Sequence, residues 1–258
     1  MRRVHAAALA LPLAFAGAAR AADEEPSTTP YRPSVSTPAA LSAPGWLEIE
    51  AGWQHDDAGG GARRDAIPLT FKIAFDEDWG VRLGNEVWVR QRAEGATKSG
   101  FGDTGLVLKR RFGVDDAQAF GLEAGVVVPT GKSGIGFGSG KPDYAVNAIW
   151  SADFGDRWHT DVNVLASRLG QVDAGASRTQ WLFAASLSRQ LDDRWSVGGE
   201  LSATAQGGAE DSRQLLVAAS YNVSKRLTLD AGAAKSLRRG DSTWSAVAGL
   251  TWLAARLF

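Results

Sequence analysis

The 258-residue sequence has no cysteine, one methionine and three histidines. The missing thiols exclude disulfide scaffolds, thiolate metal sites and thiol catalysis together. One of the three histidines, His5, falls in the N-terminal leader, which leaves little for a histidine metal centre or a catalytic triad. An excess of positive charge is also missing. Lys+Arg is 28 against 29 Asp+Glu, a net charge of −1, so nucleic acid is not an expected partner. Beyond the leader no stretch approaches the ~20 apolar residues of a spanning helix, and mean hydropathy is −0.17. Proline is scarce over most of the chain, because five of its nine copies lie between residues 22 and 44. Two residue types are plentiful instead, 30 glycines and 10 tryptophans.

The chain divides into three segments. Arg2 and Arg3, the apolar stretch Ala6 to Ala19, and Ala19-Arg20-Ala21 have the order of an export signal with a small-x-small cleavage site, so residues 1–21 are expected to be a signal peptide. Its removal leaves 25 basic against 29 acidic residues, a net of −4. Residues 22–44, with Pro26, Pro30, Pro33, Pro38 and Pro44, cannot form the interior of a helix or sheet. They are expected to be an extended piece that lies in the periplasm or inserts into a lumen. Residues 45–258 are the folded body.

From Gly45 onward the hydrophobic period is two. Leu47, Ile49, Ala51 and Trp53 share one face, and Glu48, Glu50 and Gly52 the other. The pattern recurs at Ile67–Phe75, Val81–Val89, Leu106–Phe112, Phe120–Val128, Tyr144–Phe154, Trp158–Ala166, Trp181–Leu187, Trp195–Ala203, Leu215–Tyr221, Leu227–Ala233 and Trp244–Trp252. This is strand alternation, not helical spacing. Twelve strands of roughly 9–12 residues match what a tilted strand needs to cross a bilayer. The fold expected is all-β, a transmembrane antiparallel up-and-down barrel of about 12 strands. A soluble sandwich also alternates, but the connections argue against it. Short turns (Asp76–Trp79, Gly113–Ala117, Gly155–Trp158, Leu191–Trp195, Ser224–Arg226) alternate with longer loops (Asp56–Arg64, Ala93–Gly100, Gly131–Lys141, Arg168–Arg178, Gln206–Arg213, Leu237–Asp241). That is the rim asymmetry of a bacterial outer-membrane barrel, with the short turns in the periplasm. Trp79, Trp158 and Trp195 each follow a short turn, so they are expected to form one arc of an interfacial girdle facing lipid. The terminal Phe258 is similar to the signal read by the barrel-assembly machinery, with Arg256 as a departure that a bulge near Leu253–Ala255 would accommodate.

Several segments resemble a known family. Arg32-Pro33, Pro44 to Glu50, Gly100-Phe-Gly-Asp103, Val128-Pro-Thr-Gly131, Leu227 to Asp230 and Trp244 to Trp252 look like motifs of the outer-membrane family named for the MetA pathway of phenol degradation. The likeness covers about residues 32–258. It implies an outer-membrane channel or transport barrel, in some members near aromatic-degradation genes, and carries no catalytic residues to transfer.

Enzyme chemistry finds little support in the residues. Gly131-Lys132-Ser133 lacks the spacing and following helix of a phosphate loop. Neither His55 nor His159 has a lipid-face serine beside it, so no catalytic residue, cofactor or metal ligand is expected. The polar faces of the strands carry the better candidates. Lys72, Arg82, Glu86, Arg90, Lys109, Glu123, Asp161, Glu200 and Asp230 are expected to line the lumen, with basic residues on early strands opposing acidic ones on later strands. Such opposed arcs orient polar solutes and select ions. The function expected is passage of a small solute, an aromatic or other small organic compound, through a barrel surrounded by outer-membrane lipid. The alternatives are a non-conducting structural or surface-interaction barrel and, behind it, a lipid-active enzyme.

Overall fold

A computed structural model describes residues 25–131 and 137–258. The expected signal peptide and residues 132–136 of the Gly-rich loop lie outside the described residues. The described residues form thirteen strands and no helix. They are β1 (Trp46–Gly59), β2 (Ala62–Ala74), β3 (Trp79–Ala93), β4 (Ala96–Gly100), β5 (Thr104–Gly113), β6 (Gln118–Val128), β7 (Asp143–Phe154), β8 (Trp158–Arg168), β9 (Thr179–Gln190), β10 (Trp195–Gln206), β11 (Ser212–Ser224), β12 (Leu227–Ser236) and β13 (Trp244–Arg256). Every strand pairs antiparallel with its neighbours, and β1 pairs with β13 from Trp46↔Arg256 to Asp57↔Trp244. β4 and β5 both pair with β3, at residues 89–93 and 79–85 respectively. They therefore share one position in the wall, broken at Phe101–Asp103, and the barrel has 12 strands. Closure leaves no row of unpaired N–H and C=O groups facing hydrocarbon, which cannot hydrogen-bond them.

The alternation sorts side chains as the bilayer demands. Outward positions such as Leu83, Leu106, Leu122, Val146, Phe183, Leu201 and Val217 are exposed apolar groups. Inward positions such as Glu48, Lys72, Lys109, Glu123, Asn163 and Glu200 are buried polar groups. A soluble protein would have these two inventories reversed. Trp79, Trp158 and Trp195 are the first residues of β3, β8 and β10, and all three are exposed on the outer face. Arg110 lies over the Trp79 ring and Arg189 over the Trp158 ring, at 5.1 and 5.2 Å. Aromatic faces with cations reaching past them toward the headgroups are a stable arrangement at a membrane interface.

Two features depart from the period-two reading. The ladder between β2 and β3 slips between Ile67 and Pro68, leaving Val87 as an extra residue. Pro68 has no N–H to give the ladder, so a bulge opposite it is the expected accommodation. The slip exchanges the faces beyond it. Val89 becomes fully buried inside and Trp88 and Arg90 become exposed outside. Arg90 therefore does not line the lumen, a correction to the expectation from uninterrupted alternation. The segments Asp56–Arg64 and Ala93–Gly100, expected to be loops, are instead continuous hairpins turning at Gly59–Gly61 and Glu94–Gly95. At the other end β13 does bulge, with the register slipping between Leu253 and Ala255.

Candidate functional site: the lumen and the segment inside it

Residues 25–44 run inside the barrel. Glu25 pairs with Arg226 and the Thr28 N–H donates to Lys225 O, both at the short-turn rim. Pro44 returns to that rim beside Ala74. Between these points the chain is extended and has no strand partner, so each N–H needs a side-chain acceptor. The wall supplies one for six of them. Thr29 N–H donates to Glu48 and Tyr31 N–H to Glu50, at 2.8 and 2.7 Å. Val35 and Ser36 N–H share the Glu200 carboxylate at 3.0 and 2.7 Å, and the Ser36 hydroxyl joins them at 2.5 Å. Thr37 N–H donates to Asn163 Oδ1 at 3.1 Å while Asn163 Nδ2 donates back to Thr37 O at 2.9 Å. Ala39 N–H reaches Ser151 Oγ at 2.7 Å. The prolines now have a physical role, since Pro30, Pro33 and Pro38 interrupt this series with residues that have no N–H to satisfy.

Tyr31 is the hub. It is buried, with Lys72 Nζ 3.9 Å and Lys109 Nζ 4.3 Å from its ring centre. Lys109 also donates to the Tyr31 hydroxyl at 3.0 Å, and to Pro38 O. Arg32 fixes the next turn of the chain. Its guanidinium is 3.3 Å from Asp230 and donates to Ala248 O. It lies against Gly52 and Gly249, which are register partners on β1 and β13. A Cβ at either glycine would come within 2.7 Å of the guanidinium, so this niche exists only because both positions lack side chains.

The remaining wall charges pair along the wall. Lys72 is 2.6 Å from Glu48 and 2.7 Å from Glu50 on the neighbouring strand. Lys109 and Arg82 are 3.5 and 3.6 Å from Glu123. Their ion pairs do not reach Asp161 or Glu200, which serve other partners. Glu200 holds the inner segment, and Asp161 accepts from Ser151 at 2.5 Å and contacts His159 at 3.0 Å. Glu86 pairs with Arg64 at 2.5 Å toward the long-loop rim. Above it Phe137 packs on Ala66 and Val89.

Two cavities flank the inner segment. One of about 360 Å³ opens toward the short turns and is lined by Ser186, Ser188, Ser196, Ser220, His159 and Asp161 among others. The second, about 220 Å³, lies on the long-loop side against Arg82, Glu123, Asn147 and Leu165. Arg32 and Ser34 line both.

Residues 72–254 match the family described as "Putative MetA-pathway of phenol degradation". The chain belongs to this family. Solved structures share the family's barrel at low identity. An outer-membrane channel of Pseudomonas putida F1 superposes with a TM-score of 0.67 at 13% identity, covering 83% of this chain and 97% of that one. The KdgM porin in complex with oligogalacturonate gives 0.56 at 12%, over 80% and 99%. The CymD monoaromatic hydrocarbon channel gives 0.53 at 9%, over 84% and 90%. No curated protein matched the sequence. The likenesses establish the fold, an outer-membrane β-barrel.

Several residues of this family member that bear on the site escaped the sequence reading. Tyr31, Arg32, Ser36 and Thr37 lie in a segment with no periodicity, and nothing in a proline-rich stretch says which wall residue each will meet. One signal was available. Glu200 on β10 and Asp230 on β12 have no basic partner in register, so these carboxylates needed donors from elsewhere.

Proposed function

We propose that this barrel conducts small polar organic solutes across the outer membrane and that residues 25–44 are the plug that limits the passage. The observation that carries this reading is the pair of cavities separated at Arg32 and Ser34. Both spaces border the plug at these two residues, so its removal is expected to join them. The lining mixes hydroxyl, amide and charged groups with apolar ones such as Leu187, Val197 and Leu216, and Tyr31 and His159 put aromatic rings on it. Such a surface suits polyols, aromatic acids or phenols, whose polar groups replace lost water contacts, better than a bare hydrocarbon. Catalysis has no part in this reading. His159 faces the lumen between Asp153 and Asp161, away from lipid. The final strand, ending at Phe258, is assigned to recognition by the assembly machinery.

Swelling of proteoliposomes tests the proposal. With a small polyol or an aromatic carboxylate outside, wild-type protein should give slow swelling. Loss of the plug's anchor through Arg32→Ala should make it several-fold faster. Absence of swelling in both would favour a non-conducting barrel.

A further inference from the structure

We propose that the outer wall at β8–β12 holds one molecule of lipid A, the phosphorylated glycolipid of the outer leaflet. A groove of about 360 Å³ crosses the lipid face here. Its floor follows Ala185 on β9 and Ala203 on β10, and its walls include Phe183 and Leu201. The groove leads toward the long-loop rim, where Arg213 closes it. In the register, Phe183, Ala203 and Arg213 lie in one row across β9, β10 and β11, and Ala185, Leu201, Leu215 and Lys235 in the next row below. Arg213 and Lys235 are thus near neighbours on the outward face, and both are exposed.

These cations need an explanation, because a charge directed at lipid is costly away from the interface. Among the described residues neither forms an ion pair. Glu210, in the loop before β11, is taken by Arg238. Their level is the headgroup boundary. Trp244 pairs directly with Lys235, and Trp181 stands one row above Phe183 on β9. By the rim asymmetry, this is the outer leaflet, whose lipid carries phosphates on a sugar backbone. Two unpaired cations over an apolar slot match a phosphate over an acyl chain, with the chain packed along Ala185 and Ala203. Basic clusters beside a membrane surface recognise anionic headgroups in this way.

Native mass spectrometry of the folded barrel in detergent tests the assignment, with bisphosphorylated lipid A, phosphate-free lipid A and phosphatidylglycerol as probes. Wild type should retain one lipid A, and removal of the phosphates should weaken retention about tenfold or more. Arg213→Ala with Lys235→Ala should lose the same factor, and Arg213→Lys with Lys235→Arg should restore it. Ala203→Trp, which fills the groove and leaves the cations, should also reduce retention. The heat-dependent gel shift of folded barrels confirms that each variant is intact. Equal retention of phosphatidylglycerol or of phosphate-free lipid A would overturn the proposal, as would an unchanged double variant.

Discussion

Arg32 is the side chain on which the two cavities meet, and its attachment is made of few parts. The guanidinium contacts Asp230 and Ala248 O in a niche that two glycines leave open. A charge-assisted hydrogen bond of this kind is worth about 1.5–3 kcal/mol. Arg32→Ala should therefore raise the open fraction of single channels by about tenfold, and Asp230→Asn should do so by less, because the amide still accepts. A second residue-scale prediction separates the two faces of β3. Arg82 lies inside beside Glu123, and Arg90 lies outside beyond the Val87 bulge. Arg82→Ala with Lys109→Ala should move the reversal potential in a salt gradient toward cation selectivity, whereas Arg90→Ala should leave it unchanged. Equal effects would mean that the bulge does not turn Arg90 out of the lumen. The sequence alone misplaces Arg90 because one inserted residue inverts every assignment after it, and a bulge has no hydrophobic signature. Pro68 on the facing strand was the local hint.

At the scale of the element, the short turns hold the girdle in position. Asp76 accepts the N–H groups of Asp78 and Trp79, and Asp192 those of Arg194 and Trp195. The turn before Trp158 reaches the same end with Gly155 at φ 58°. Donation from the Trp195 and Arg194 amides holds the Asp192 carboxyl below its ordinary value. A depressed carboxyl contributes stability above the unfolded value of ~3.9 and loses it as pH falls through the lower folded value. The Trp195 amide signal in an NMR titration should accordingly shift with a midpoint below ~3.9. A midpoint at or above that value would contradict the turn geometry. Trp158→Ala removes an interfacial ring and its contact with Arg189, and should cost about 1–3 kcal/mol in urea unfolding from bilayers. The membrane-spanning parts of these strands were legible because lipid on one side and a polar lumen on the other impose a strict alternation. The outer hairpins were not. At Asp56–Arg64 water meets both faces, so no hydrophobic pattern marks the strands, and polar residues there read as loop.

The whole molecule is a closed wall built around an inserted segment. Eight segment residues give a backbone N–H or a side chain to wall residues on β1, β7, β8, β10 and β12. Bonds directed at so much of the circumference hold the plug centrally and brace the wall against collapse. The barrel itself was readable from period and turn lengths, because both follow from bilayer geometry. The plug's docking was not, because it depends on contacts between residues more than a hundred positions apart, such as Ser36 with Glu200. Single-channel recording of the barrel lacking residues 25–42, beside the full barrel in the same bilayer and salt, tests the central claim most directly. The account predicts small, intermittent currents for the full barrel and a steady, several-fold larger conductance for the shortened one. Equal conductance in the two, with both shown to be folded, would contradict it.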